Sequence, residues 1–264
     1  MSKILPILVA AGVVGIVVIA ILIGRLSNKN NISGHNNTVA NTHGTVTNTQ
    51  SVEFEPNVAS QSICYEYPEL IPEYNGSNYV FLNDNMPNFT EWDIKNIKGQ
   101  SFSDLDRLGR CGTAVAMIDQ SMMPTEPRGD IGSVKPTGWV QNKYAGVVNS
   151  SPPYLYNRCH LIAYALTGEN ANELNLITGT RYMNSTVMLP WEEKVMRYLD
   201  YSTNHVLYRV TPYFVGSELL ARGVEMEAYS VEDNGEGVCF HVFIYNVQPG
   251  VVLDYSTGDN WLER

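Results

Sequence analysis

Between Asn157 and Glu193 the chain gathers residue types that do chemistry: Asn157-Arg158-Cys159-His160, then Asn175, Asn184, Glu192 and Glu193. A neutral imidazole can take a proton from water near pH 7. A hard divalent cation takes oxygen ligands such as an amide carbonyl, a carboxylate and waters. An arginine fork neutralises charge on a phosphate in flight. Together these groups suit hydrolysis of a phosphodiester. Taken singly, each has a plainer reading: a structural histidine, an asparagine that caps a helix, a glutamate that a helix N-terminus favours anyway. Spacing lifts the set above those readings.

Asn175 and Asn184 are nine residues apart, and Asn184 and Glu192 are eight apart. With Arg158 and His160 upstream, these intervals resemble the signature of the DNA/RNA non-specific endonuclease family. There an Asp-Arg-Gly-His motif is followed by an Asn-Ile-Thr-like stretch (here residues 175–178), a metal-binding Asn and a Glu. Residues 104–110, 127–132, 160–182 and 205–212 are also similar to membrane-anchored and secreted nucleases of Gram-positive bacteria, so the resemblance covers roughly residues 100–255.

The resemblance implies a ββα-metal nuclease domain and a role for each matching residue. His160 is the general base that activates water. Asn184 holds a Mg2+ ion, with Mn2+ as a substitute, and Glu192 orients the metal's water shell. Arg158 and, from the upstream loop, Arg128 meet the phosphate in catalysis and substrate binding. Asn175 supports the site on the substrate side. The substrates implied are DNA and RNA, without choice of sugar or base. Two positions depart from the family pattern. Asn157 stands where Asp is frequent, and Cys159 stands where Gly is common, although a cysteine does not freely adopt φ > 0.

Local patterns indicate the elements that must position these residues. Residues 79–82 and 113–118 read as strands, and the Pro- and Gly-rich residues 124–138 as an irregular loop. Residues 154–165 are β-like or irregular. Residues 190–199 read as a helix, with Pro190 near its start, acidic residues in its first turn and apolar spacing at Trp191, Val195, Tyr198 and Leu199. Residues 205–212, 225–230 and 238–247 alternate as strands do, with Val238, Phe240, Val242 and Ile244 on one face. The sum is an α+β fold with a mixed, mainly antiparallel sheet. Residues 101–112 look like a connector, and no internal repeat is found.

The 264 residues divide into three parts. Residues 4–24 are apolar or small, and about twenty such residues at about 1.5 Å each span a bilayer core of about 30 Å. Residues 1–25 therefore read as a signal anchor, a single transmembrane helix. Lys3 before it and Arg25 and Lys29 after it give no clear orientation. Residues 26–61 read as a disordered polar linker, with His35 and His43 solvated. Residues 62–264 form the nuclease domain. The resemblance implies a bacterial cell membrane protein with its catalytic domain outside, or a secreted one if the anchor is cleaved.

Cys64, Cys111, Cys159 and Cys239 lack C-x-x-C spacing, which argues against a zinc ribbon or a thioredoxin-type site, and their pairing is open. His205 and His241 lie in strand-like stretches facing neighbours or solvent.

A net charge of −10 at first argues against a nucleic-acid substrate. The charge is uneven, however. Residues 101–222 hold 11 basic and 11 acidic residues and all the candidate site residues, whereas residues 61–100 hold 2 against 6 and residues 223–264 hold 1 against 8. Two other readings stay open: a cysteine hydrolase using Cys159, and a surface-anchored binding module that has lost activity.

Overall fold

The computed structural model describes residues 71–264. The expected anchor, the linker and Cys64 lie outside the described residues. Among those described, no helix is long and apolar enough to cross a membrane.

In chain order the strands are β1 (Tyr79–Phe81), β2 (Gly99–Phe102), β3 (Ala114–Ile118), β4 (Tyr156–His160), β5 (Leu176–Thr180), β6 (Val206–Tyr213), β7 (Gly223–Ser230), β8 (Cys239–Tyr245), β9 (Val251–Leu253) and β10 (Asn260–Leu262). The helices are α1 (Glu91–Asn96), α2 (Tyr164–Thr167) and α3 (Leu189–Tyr201), the last entered through a π-helical turn over Met183–Met188. Six strands make one antiparallel sheet in the order β1-β8-β7-β6-β3-β2. Strands β4 and β5 form a separate antiparallel ribbon, as do β9 and β10.

Alternation along the strands decides which face is covered. Val206, Tyr208 and Val210 of β6, Val224, Met226 and Ala228 of β7, and Phe240, Val242 and Ile244 of β8 are fully buried on one face. Against them pack Val195 and Leu199 of α3, Met183 and Met188 of the π turn, and Cys159 and Ile177 of the β4–β5 ribbon. Each such side chain contributes about 1.5–3 kcal/mol on burial. The ribbon and α3 together are thus a strand–strand–helix unit seated on the large sheet. The α+β architecture expected from the sequence is present, and the strands expected near 113–118, 205–212, 225–230 and 238–247 are β3, β6, β7 and β8. The helix expected at 190–199 runs from Leu189 to Tyr201, with Pro190 in its first turn, where no backbone donor is needed.

Several elements escaped the sequence patterns, among them β2, α1 and β5. Strand β2 lies where a connector was expected, an edge strand with little apolar content. Helix α1 is six residues long, too short for a period, yet a capping box starts it: Thr90 Oγ1 accepts from Asp93 N at 3.1 Å and Asp93 Oδ2 accepts from Thr90 N at 2.8 Å. Strand β5 is wholly buried and so shows no alternation.

The opposite sheet face carries a charged cluster. His241 donates from Nδ1 to Met86 O at 3.0 Å and from Nε2 to Glu225 Oε1 at 2.5 Å. Tyr213 OH donates to the other Glu225 oxygen, and Arg209 Nε donates to Glu227 Oε2 at 2.6 Å. Ligand atoms of Glu225, Glu227 and His241 lie within 4.8 Å of one another. Their negative charge is nevertheless balanced by Arg209 and an imidazolium whose two nitrogens both donate.

Burial opposes charge on His241, but Glu225 and Glu227 hold its pKa above the ordinary value. Burial would likewise raise Glu225, but bonds from His241 and Tyr213 hold it lower. The raised imidazole stabilises the fold at low pH and loses that contribution as pH rises through its folded pKa. The lowered carboxylate loses its own as pH falls through its folded pKa. Removing one partner of a buried pair costs about 3–5 kcal/mol. Near neutral pH, His241→Gln should therefore lower unfolding stability by roughly that amount. The gap to wild type in urea melts should narrow as pH is raised above His241's elevated pKa, and a gap independent of pH would refute the charged pair.

Candidate active site

The end of β4 is clamped by one amide. Asn175 Oδ1 accepts from Ile162 N at 2.9 Å, and its Nδ2 donates to Ile162 O at 2.9 Å. Its backbone carbonyl accepts from Leu161 N at 2.9 Å. Asn175 is fully buried. Expected on the substrate side, it is instead walled in, with both ends of its amide committed to the chain just beyond His160. It braces the strand end and is not placed to touch a substrate.

His160 is 6% exposed. Its Nε2 lies 2.8 Å from the backbone carbonyl of Asn170. A carbonyl only accepts, so Nε2 carries the proton. In the neutral ring, Nδ1 then carries the lone pair. Burial pulls the His160 pKa below its ordinary value; the Asn170 bond partly offsets this, and nearby Arg128 adds to it. The ring is therefore a neutral base at physiological pH.

Arg158 lies two residues back on the same side of β4, since side chains alternate along a strand. Its guanidinium stacks on Trp139 at 4.4 Å, and its Nη2 donates to Gly132 O at 2.8 Å. Its Nε donates to Val134 O. The irregular loop between β3 and β4 thus fixes the fork from below and from the side, which limits what the fork loses on meeting an anion.

Arg128, Arg158 and Asn184 come together on one cleft of about 630 Å3, joined by Asn157 and Arg181. Among the described residues, no Asp or Glu lines it. Asn184 Nδ2 donates to Ser185 Oγ at 3.2 Å, and its amide oxygen has no protein partner among the described residues. His160 is not among the residues lining the cleft, and neither is Glu192. Glu192 is buried on α3, and burial, then Glu193, pushes its carboxyl up to about 8. Burial first, and then the nearby Glu192, raises the pKa of both Cys159 and Tyr208.

Cys159 is a regular strand residue paired with Ile177 and is not among the residues with positive φ. The backbone here needs no glycine. Its thiol is fully buried, 3.4 Å from Met188 Sδ, and burial holds its pKa well above the ordinary value. Such a thiol is inert, which removes the cysteine-hydrolase reading. Cys111 and Cys239 are also free thiols.

Sequence reasoning missed Arg181, Trp139 and Asn170. Arg181, three residues before Asn184, was findable as a cation inside the motif. Asn170 acts through its carbonyl, which no side-chain pattern reports. Removing the clamp tests its structural weight: Asn175→Ala leaves two buried backbone groups of Ile162 unpaired, each costing about 1–3 kcal/mol. A thermal melt should show a clear loss of stability, and an unchanged melting temperature would contradict the clamp.

Comparison with known proteins places this geometry. The crystal structure of NucA from Streptococcus agalactiae with magnesium ion bound matches at 29% identity and a TM-score of 0.60, over 69% of this chain and 86% of that one. The same nuclease with no metal bound matches at 28% and 0.59, over the same shares. The structure of Sda1 nuclease with bound zinc ion shares the fold at 24% identity, with a TM-score of 0.57, over 70% of this chain and 96% of that one. The sequence profile of DNA/RNA non-specific endonucleases matches residues 92–232, just over half of the chain. With its strand–strand–helix unit and acid-free arginine cleft, the chain belongs to the DNA/RNA non-specific endonuclease family and is a nuclease, a hydrolase of that family.

Proposed function

We propose that the chain hydrolyses DNA and RNA backbones without choice of sugar, using a divalent cation, with His160 as general base. The observation that carries this reading is charge. Among the described residues, three arginines and no carboxylate line one cleft of a chain whose net charge is −10. A cleft lined by one sign of charge concentrates the opposite sign. That cleft adjoins a strand whose histidine has a fixed tautomer.

The donor set suits a hard cation. Asn184 offers an unpartnered amide oxygen, and such ligands suit magnesium, which keeps most of its waters. The magnesium bound by the S. agalactiae nuclease agrees with that choice. Asn184 would hold the ion and Glu192 would orient its waters. A Mg2+ bound there, with Mn2+ as a substitute, would supply positive charge to the phosphate and the leaving sugar oxygen and would favour the ionised form of Glu192.

The chain's own residues do the rest. Nδ1 of His160 takes a proton from water as the water oxygen bonds to phosphorus and the bond to the sugar oxygen breaks. Nε2 keeps its proton on Asn170 O, which holds the ring's orientation through the step. Arg158, pre-set by Trp139, stabilises the phosphate oxygens, with Arg128 beside it. Asn175 acts at a distance by fixing the chain after His160. Nothing in this arrangement reads a base edge, in keeping with cleavage of backbone alone.

The purified chain should degrade plasmid DNA and RNA with Mg2+ and stop with EDTA. His160→Ala should cost about 100-fold or more in turnover while the fold persists. Activity that survives both EDTA and His160→Ala would sink the proposal.

Residues 1–25 as anchor, 26–61 as linker and 62–264 as nuclease complete the reading, with the enzyme outside the membrane, where it spares the host genome. Fractionation of expressing cells should put nuclease activity in the membrane pellet, accessible to added DNA in intact cells. Activity confined to the soluble interior would reject this placement.

A further inference from the structure

The cleft is lined by aromatic as well as cationic residues. Trp139, Tyr154 and Tyr156 line it together with the three arginines. Two of these rings are occupied. Trp139 lies under the guanidinium of Arg158, and Tyr156 is buried with its hydroxyl on Gly258 O at 2.9 Å. Tyr154, although Lys143 Nζ lies over its ring, is 41% exposed, and its hydroxyl makes no hydrogen bond among the described residues.

The backbone that carries Tyr154 is nonetheless held. Its N–H donates to Pro152 O at 2.9 Å, it bridges to Lys143, and Leu155 N donates to Asn142 O at 3.0 Å. Lys143 Nζ sits 4.7 Å from the ring centroid. An exposed large apolar ring beside a lysine, on a pinned backbone at the rim of a cationic cleft, has the composition of a single-strand platform. Such sites track the phosphates with basic groups and stack bases on aromatic faces. Tyr154 precedes Arg158 by four residues, about 13 Å along an extended chain at roughly 3.3 Å per residue. A short length of single strand covers that distance.

We infer that Tyr154 is a stacking platform for an unpaired nucleobase flanking the phosphate held at Arg158. The inference rests on the nuclease reading and deepens it. Bases inside a continuous duplex have both faces covered by their neighbours, so this platform engages single strands and frayed or looped segments. Every base has a π-face, so stacking adds no sequence choice. The site then favours unpaired over paired nucleic acid while remaining blind to base identity.

Binding separates this inference from the hydrolysis it rests on. The full chain, in EDTA so that no cleavage is supported, is titrated against a short labelled single-stranded DNA of mixed sequence, an abasic strand of the same length, and a duplex. Tyr154→Ala should weaken binding of the single strand by roughly five- to hundredfold, the range seen when a stacked aromatic is truncated. Tyr154→Phe should keep most of the affinity. The abasic strand should bind wild type about as weakly as the intact strand binds Tyr154→Ala, with no further loss in the variant. The duplex should be nearly indifferent to the substitution.

Equal affinity of wild type and Tyr154→Ala for the single strand overturns the platform, and so does an equal loss with abasic and intact strands. Should Tyr154→Ala misfold, the abasic arm on wild type and on Tyr154→Phe still decides. With Mg2+ restored, the loss should appear in KM and not in kcat. A chain that binds through Tyr154 but cleaves nothing defeats the hydrolysis reading alone. A chain that cleaves through His160 but ignores Tyr154 defeats the platform alone.

Discussion

The side-chain amide of Asn175, sealed in the interior and bonded at both ends to Ile162, is the constraint on which the site depends. A buried amide without partners would be costly, so the strand end closes onto it in one register. That closure ends β4 at His160. In the loop that follows, the Asn170 carbonyl accepts the hydrogen bond from Nε2 of His160. That backbone carbonyl decides the tautomer of a ring ten residues away in sequence. The asparagine in the motif is thus explained by folding and not by contact with substrate.

Charge is the second organising fact. An acidic chain that acts on a polyanion would suffer general repulsion, and the fold answers by segregation. The carboxylates of the terminal region lie largely elsewhere: Glu225 and Glu227 are matched by His241 and Arg209 on the opposite sheet face. Among the described residues, no carboxylate lines the cleft beside its arginines. The net charge of −10, an objection when read as a sum, becomes compatible with the family once its distribution is known.

Glu192 shows a cost of this design. It sits on the apolar face of α3, where burial pushes its carboxyl up to about 8. A stable core would place a leucine there. Cys159 illustrates the reverse: its departure from glycine costs the backbone nothing, because the strand is extended at that point and the thiol fills space against Met188 and Gly179.

Much was legible in the sequence, for physical reasons. Alternation of apolar residues disclosed β3, β6, β7 and β8, because a sheet with one covered face must alternate. Proline and acidic residues at the start of α3 marked a helix, because the first turn tolerates the one and favours the other. The intervals 175, 184 and 192 identified the family and so the strand–strand–helix unit. What tertiary structure alone decided lies in contacts between segments distant in the chain. The irregular loop brings Arg128 and Trp139 to Arg158. A backbone carbonyl, carrying no residue signature, orients His160. Asn175 is walled into the strand end, and His160 and Glu192 stand behind the residues that line the cleft, although spacing groups all three with it. Sequence carries residue type and period; which side of a packed wall each residue faces is settled only when the walls meet.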